Sequence, residues 1–282
     1  MQHFSGAKLD LDWAGYSRLG RLHADWGDPN QDCYGVESVE SAGAVVLGVF
    51  DGHGKDGEKI SQFARTEILE RCKRELESGK GASETLSVVF GEVSQLIDGD
   101  DDSTESGSTA TVLIVQDHRI VSGFLGDSSA SFCNLDAQSQ VLDSGFFFEP
   151  HRTSNRKEAR RILEFGCIIE EGYVVDPENK DNAISITRTF GDRSMRGCGV
   201  NSEAEISEPR SFDQNSIALV IATDGLWDLP KVTAEGVSAT LSRMLRSGSD
   251  LVEIVEQFSS FNGYVPTDDC TVLIATVTAK TP

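Results

Sequence analysis

Three apolar segments of the sequence end directly at an aspartate: Asp51, Asp127 and Asp224. A fourth apolar segment begins beside Asp268 and Asp269. Each motif alone indicates no more than a turn, since Asp beside Gly is common turn chemistry. If the four segments are strands of one sandwich, their acidic ends converge, and the carboxylates repel one another unless a cation neutralises them. The set therefore predicts a divalent metal site, and oxygen ligands without clustered His or Cys favour Mg²⁺ or Mn²⁺ over Zn²⁺.

The segment Asp51–Gly54 adds two groups that a hydrolytic metal site uses, the His53 imidazole and a glycine carbonyl at Gly52 that can approach an ion closely. Residues Gly52 to Gly57 also match the G-x-G-x-x-G pattern of dinucleotide-binding loops. That alternative is disfavoured, because Asp51 would place a negative charge beside the pyrophosphate. The sequence contains no serine-hydrolase elbow, no Walker phosphate loop and no H-E-x-x-H motif.

Short runs rich in Val and Ile predict the strands that position these acids, at residues 44–50, 109–115, 120–125, 217–222 and 271–277. The second and third are joined by so few residues that they must form an antiparallel hairpin. Apolar residues at helical spacing predict helices around residues 60–72, 86–97 and 237–245. Helices that come in pairs between strands predict an α+β fold, in which helices cover antiparallel sheets, and argue against a doubly wound parallel sheet.

Composition restricts the partners. The chain has 25 Lys plus Arg against 46 Asp plus Glu, a net charge of −21, which disfavours nucleic acid. No apolar run approaches the roughly 18 residues of a membrane helix, so we expect no membrane association. The 282 residues contain neither a repeat nor a Pro-rich or Gly/Ser-rich linker, which predicts one domain over residues 1–282. The acidic segment from Asp98 to Ser108 predicts a solvated loop, since it lacks the ligand order of a calcium loop.

The six cysteines lie more than 30 residues apart, without a C-x-x-C pair. This spacing predicts free thiols in a reducing compartment. The N-terminal residues show neither the pattern of a signal peptide nor the glycine that N-myristoylation needs. We therefore expect a monomer located in the cytoplasm or nucleus.

Eight short motifs follow one another along nearly the whole chain: Asn30–Asp32, Asp51–Gly54, Ser106–Ala110, Gly126–Ser128, Glu158 with Arg161 and Ile162, Thr187–Asp192, Ala222–Asp228 and Asp268–Val272. Each motif alone has low specificity. The ordered set resembles the metal-dependent protein serine/threonine phosphatases of type 2C. This resemblance implies an antiparallel β-sandwich flanked by helices on both outer faces, with a metal centre at one end and a small flap at about residues 166–186.

The resemblance also implies roles for individual residues. In the family, the residue matching Asp51 bridges two ions, those matching Asp224 and Asp269 bind the first ion, and the carbonyl matching Gly52 binds the second. Residues matching Asp127 and Asp228 serve a weaker third ion, and the one matching Asp32 lies beside the second. Two ions about 4 Å apart can lower the pKa of a bridging water towards about 7, which would supply a hydroxide for in-line attack on phosphorus. His53 matches the proposed general acid that protonates the leaving alkoxide.

Several positions depart from the pattern of many family members. Gln31 replaces an acid and could orient a metal-bound water, but it adds no charge. Gly27 stands where many members have the arginine that holds the phosphate, which leaves Arg18, Arg21 and Arg188 as candidates for that role.

Two further departures look peripheral. Pro150–Thr153 replaces Asp-His-Lys-Pro, and Cys270 replaces the Asn that often follows the last metal aspartate. Five cations between Arg152 and Arg161 are typical of a solvated helix face.

The first hypothesis is a Mg²⁺- or Mn²⁺-dependent enzyme that hydrolyses phosphoserine and phosphothreonine in phosphoproteins. The second is a catalytically weak or dead relative that binds phosphoproteins as a scaffold, which missing metal aspartates would favour. A nucleotide-dependent oxidoreductase, the third, requires a parallel fold. The sequence retains the aspartates and predicts antiparallel sheets, so the first hypothesis is preferred.

Overall fold

The strands of the fold all pair antiparallel. The structure is a computed structural model that describes residues 1–212, 216–259 and 266–280. Its strands are β1 (Gln2–Ser5), β2 (Leu9–Arg18), β3 (Asp32–Val39), β4 (Ala44–His53), β5 (Gly107–Ser108), β6 (Ala110–Gln116), β7 (Arg119–Leu125), β8 (Ser129–Leu135), β9 (Val141–Phe146), β10 (Ile168–Glu170), β11 (Tyr173–Val175), β12 (Ala183–Ile184), β13 (Phe190–Gly191), β14 (Glu205–Ile206), β15 (Arg210–Ser211), β16 (Ser216–Ala222) and β17 (Cys270–Ala279). Its α-helices are α1 (Arg21–Trp26), α2 (Gly57–Glu77), α3 (Ala82–Asp98), α4 (Arg156–Glu164), α5 (Asp224–Trp227), α6 (Ala234–Arg246) and α7 (Leu251–Ser259). Short 3₁₀ helices occur at Glu40–Ala42, Asp101–Ser103 and Arg193–Cys198.

Two large sheets form a sandwich. One has the strand order β1-β2-β17-β16-β8-β9, and the other has the order β13-β5-β4-β6-β7-β14, with β3 paired to β4 and β15 paired to β7. The β6–β7 hairpin is antiparallel, as the short link between its strands predicts. The antiparallel pairing also excludes the doubly wound parallel alternative.

Alternation along the strands explains why helices cover both outer faces. On β4, Val45, Leu47 and Val49 pack against the opposite sheet, whereas Val46 and Phe50 pack in a cluster with residues of α2 and α3. Strand β16 alternates in the same way between the sandwich interior and a cluster that includes α6 and α7. Because successive side chains point to opposite faces, each central strand is buried on both sides and is apolar throughout. The expected α+β sandwich with helices on both outer faces is confirmed.

A three-stranded sheet of β10, β11 and β12 lies within the segment expected to form the flap. Its small core contains Ile162, Val174 and Met195 together with Cys167 and Cys198. These two cysteines form a disulfide with a Cα–Cα distance of 5.3 Å, so the expectation of six free thiols is wrong for this pair. The pairing removes part of the argument for a reducing compartment.

The remaining cysteines, Cys33, Cys72, Cys133 and Cys270, are free and buried. The expected solvated loop is only partly solvated, since Asp101 is fully exposed but Ser103 is buried. Among the described helices, none combines the length and the apolar character needed to cross a bilayer.

Candidate active site

Three carboxylates meet at one end of the sandwich. Asp51 lies near the end of β4, Asp127 lies between β7 and β8, and Asp224 begins α5. One oxygen from each lies within 4.8 Å of the others. They line a cleft of about 510 Å³, whose wall also includes Tyr173 and Ile184 of the flap. The convergence of these three acids is the arrangement that the strand ends predict.

Removal from bulk water raises the pKa of the Asp51 and Asp224 carboxyls well above their usual range, and the neighbouring acids raise both further. Burial also raises the pKa of Asp32 to about 7. Asp32 lies directly opposite Asp51 in the β3–β4 pairing, and its carboxylate accepts a hydrogen bond of 2.7 Å from the Thr223 hydroxyl. Such a set of oxygen ligands fits a divalent cation, which would neutralise the repulsion and keep the acids ionised.

Backbone geometry explains the glycine at position 52. A Cβ there would overlap the carbonyl oxygen of Gly57 and would lie 2.7 Å from the carbonyl oxygen of Gln31. The Gly52 amide donates to that same Gln31 carbonyl at 3.2 Å. Only glycine allows these three segments to approach so closely, which holds the Asp51 segment against the start of α2.

The turn that carries Asp127 is held by a buried histidine that sequence reasoning did not assign to the site. His151 Nδ1 accepts a hydrogen bond of 3.0 Å from the Gly126 amide, and the Gly126 carbonyl accepts one of 2.9 Å from the His151 amide. Burial lowers the pKa of His151, which agrees with an unprotonated acceptor nitrogen. His151 therefore fixes the turn that presents Asp127.

The structure distinguishes the two adjacent acids of the last motif. Asp268 lines the cleft with Asp51, Asp127 and Asp224. Asp269 is instead buried, and its carboxylate accepts hydrogen bonds from the backbone amides of two residues, Gly20 and Gln31, at 2.7 Å each, with His23 Nδ1 at 2.8 Å. Asp268 therefore lies among the acids of the cleft, whereas Asp269, to which the resemblance gives the role of metal ligand, organises the loop between β2 and β3.

His53 faces the cleft and pairs with an acid from another segment. Its Nε2 lies 2.6 Å from Asp192 Oδ2. Burial alone lowers the pKa of the imidazole, but the Asp192 carboxylate outweighs it and raises the pKa above the usual range. A Cβ at Gly107 would lie 2.7 Å from His53 Nε2, so the glycine there makes room for the pair. The arrangement favours a protonated imidazole in the cleft, as a general acid requires.

The cations of the α4 region are not one solvated face. The guanidinium of Arg152 lies inside the acidic cleft, 2.7 Å from Asp127 and 3.0 Å from Asp224. It also lies 2.8 Å from Asp228, which no other described side chain bonds. Arg161 is partly buried, pairing with Glu158 and donating to the Gly199 carbonyl. The expectation that Arg152 is peripheral is wrong, because the chain before α4 turns into the cleft.

Arg188 already forms ion pairs with two carboxylates. It donates two hydrogen bonds to the buried Glu158 carboxylate, at 2.7 and 3.0 Å, and pairs with Glu205 at 3.0 Å. By contrast, neither Arg18 nor Arg21 forms a side-chain hydrogen bond or ion pair within the described part of the chain. Arg188 is therefore held by carboxylates, whereas Arg18 and Arg21 have no such partner among the described residues, and neither of them lines the cleft.

Gln31 uses its amide to hold the loop rather than to line the cleft. Its Nε2 donates to the Gly54 carbonyl at 2.7 Å, and the residue as a whole is 8% exposed. A carboxylate at this position would lose the donor and would repel the carbonyl. Gln31 consequently holds the Gly52–Gly57 segment in place through the Gly54 carbonyl.

The antiparallel sandwich and its acidic cleft define a metallophosphatase architecture, and the comparisons with known proteins agree. Residues 30–260 match the family model described as Protein phosphatase 2C, so the chain belongs to that family. A solved structure of serine-threonine phosphatase 2C from Toxoplasma gondii has the same fold, with a TM-score of 0.70 and 17% identity over 99% of this chain and 97% of that one.

Curated relatives come from plants and animals. The chain is 28% identical to "Probable protein phosphatase 2C 55" of Oryza sativa subsp. japonica over 79% of this chain and 58% of that protein. It is 26% identical to "Integrin-linked kinase-associated serine/threonine phosphatase 2C" of Bos taurus over 64% of this chain and 49% of that protein. The chain thus spans about half the length of these relatives.

Proposed function

We propose that the protein hydrolyses phosphoserine and phosphothreonine esters of phosphoproteins, with a water activated between two Mg²⁺ or Mn²⁺ ions as the nucleophile. The convergence of the Asp51, Asp127 and Asp224 carboxylates in one cleft is the observation that supports this function most directly. Bound divalent ions would supply Lewis acidity and a nucleophile at neutral pH. A scaffold without catalysis is not favoured, because the acids that such a relative would lack are present and assembled.

The chain's own residues have separate parts in this proposal. The two ions would be held by Asp51, Asp224 and Asp268 together with the Gly52 carbonyl. Asp32 would support Asp51 from the neighbouring strand β3. His53, kept protonated by Asp192, would give its proton to the departing serine or threonine oxygen.

Substrate binding would use a cation for the phosphate and the flap wall for the rest of the substrate. Arg18 or Arg21 would bind the phosphate, since neither side chain forms a hydrogen bond or ion pair with another described residue. The flap wall, including Tyr173 and Ile184, would contact the protein part of the substrate.

The test is phosphate release from a phosphothreonine peptide by protein passed over a chelating resin. Added Mn²⁺ should restore turnover and excess EDTA should abolish it, while a phosphotyrosine peptide should be a poor substrate. Asp51→Asn should lose Mn²⁺ binding and turnover together, whereas Asp25→Asn, an exposed acid on α1, should behave as wild type. Full turnover by metal-free protein would refute the mechanism.

A further inference from the structure

The guanidinium of Arg152 contacts three carboxylates at once. Its Nε donates to Asp127 at 2.7 Å, and its two terminal nitrogens donate to Asp224 at 3.0 Å and to Asp228 at 2.9 Å. Two of these acids, Asp127 and Asp228, are the residues whose counterparts serve the weaker third ion. A single built-in cation therefore occupies the place between the acids that a third divalent ion would otherwise take.

We propose that Arg152 replaces the third metal ion, so that this protein works with two divalent ions and a permanent guanidinium. The inference rests on the proposed function, because it presupposes the two ions held by Asp51 and its neighbours. Planar guanidinium groups suit this position, since their five N–H donors can bind several carboxylates in fixed directions.

The backbone around Arg152 is fixed from two sides, which argues that the side chain does not enter the cleft by chance. Arg152 forms an isolated β-bridge with Ile186, and the next residue, Thr153, donates its hydroxyl to the Gly172 carbonyl at 2.7 Å. These contacts tie the segment to the flap on one side, and the His151 contacts tie it to the Asp127 turn on the other.

The positive charge of Arg152 should prevent a third divalent ion from binding at this place. Asp127 is 4% exposed at its side chain, so its carboxylate must have a partner, and Arg152 is the cation that reaches it in the described structure. A positive group already in place repels a further ion and occupies its ligands. Removing the guanidinium should leave Asp127 and Asp228 free to attract a third divalent ion.

The experiment counts bound Mn²⁺ in metal-stripped protein, by calorimetric titration and by the electron paramagnetic resonance signal of free Mn²⁺. Wild type should bind two ions. Arg152→Met, which keeps much of the aliphatic stem and removes the charge, should bind a third at least about tenfold more tightly than wild type does. Arg156→Met is the matched control, an exposed arginine of the same segment, and should bind two ions.

Asp228→Asn assigns the new site. In the Arg152→Met background it should remove the third ion, and in the wild-type background it should leave the two ions unchanged. If Arg152→Met folds poorly, Arg152→Lys provides the same test, since one ammonium cannot reach all three acids and the third ion should bind more tightly than in wild type.

Equal third-site affinity in wild type and the Arg152 variants would overturn the proposal. It would also fail if Arg152→Met kept two ions and only raised KM for the phosphopeptide, which would make Arg152 a phosphate ligand. Absence of two bound ions in wild type would instead refute the proposed function itself.

Discussion

Glu158 is a buried acid whose removal should destabilise the flap side of the protein. It is 2% exposed and lies on α4, where it receives hydrogen bonds from Arg188, Arg161 and the Thr187 hydroxyl at 2.6 to 3.0 Å. Glu158→Gln keeps the size of the side chain and removes its charge. The change leaves two arginines beside a neutral amide, so both lose their anionic partner.

The magnitude follows from the pKa of this carboxyl. Burial alone would raise the pKa, but the hydrogen bonds from Arg188, Arg161 and Thr187 outweigh it and lower the pKa to about 2, against an ordinary value of 4.5. At about 1.4 kcal/mol per pH unit, the ionised Glu158 contributes about 3 kcal/mol to the free energy of unfolding at pH 7. Because the pKa is lower in the folded state, this contribution is present above pH 4.5 and is lost as the pH falls towards 2.

Urea unfolding at pH 7 and at pH 3.5 measures how much stability Glu158→Gln removes and whether that loss shrinks on acidification. Glu158→Gln should lose about 3 kcal/mol at pH 7, and the loss should be smaller by about 1 kcal/mol at pH 3.5. Glu164→Gln is the control on the same helix, because its pair with Arg160 has side chains 61% and 82% exposed and should change stability by less than about 0.5 kcal/mol. A loss below 0.5 kcal/mol for Glu158→Gln, or one that grows on acidification, would refute the reasoning.

Asp268→Asn should weaken Mn²⁺ binding in calorimetry by at least about tenfold, whereas Asp269→Asn should chiefly lower the free energy of unfolding, by about 2 kcal/mol. The reverse pattern would return the ligand role to Asp269. His53→Gln should reduce kcat for a phosphothreonine peptide by about 10²- to 10⁴-fold and for an aryl phosphate far less, since an aryl leaving group needs little protonation. Equal losses would make His53 structural. Reducing the Cys167–Cys198 disulfide, which joins residues 31 positions apart, should lower the free energy of unfolding by about 3.5 kcal/mol. An unchanged urea midpoint with dithiothreitol would contradict this.

The central strands and the long helices were predictable because their burial follows a simple period. Strand β4 is apolar on both faces, and α2 and α3 show the helical spacing of a buried stripe. Strand β2 has the alternation of a half-buried strand, with Asp10 and Asp12 between buried apolar residues, but it lacks the run of Val and Ile on which the strand predictions rest. The separate sheets, and their order, depend on pairings between residues far apart in sequence, which no local pattern contains.

The residue types of the site were predictable, but which side chains point into the cleft was less so. Asp51, Asp127 and Asp224 meet because Asp51 lies near the end of β4 and the other two lie just after β7 and β16. Two adjacent acids such as Asp268 and Asp269 leave open which one faces the cleft, since that depends on the path of the chain as it enters β17. The position of Arg152 in the cleft was not predictable either, because a charged residue before a helix is most often solvated.

The disulfide between Cys167 and Cys198 encloses the whole flap in a covalent ring. Lys180 is exposed in the stretch between β11 and β12, where a protease could cut the chain. Such a cut would open the flap without releasing either half. The nicked protein would migrate as one species on a non-reducing gel and would separate into two fragments only after reduction. The ring thus keeps the flap wall of the cleft attached to the rest of the protein even after the peptide chain is cut.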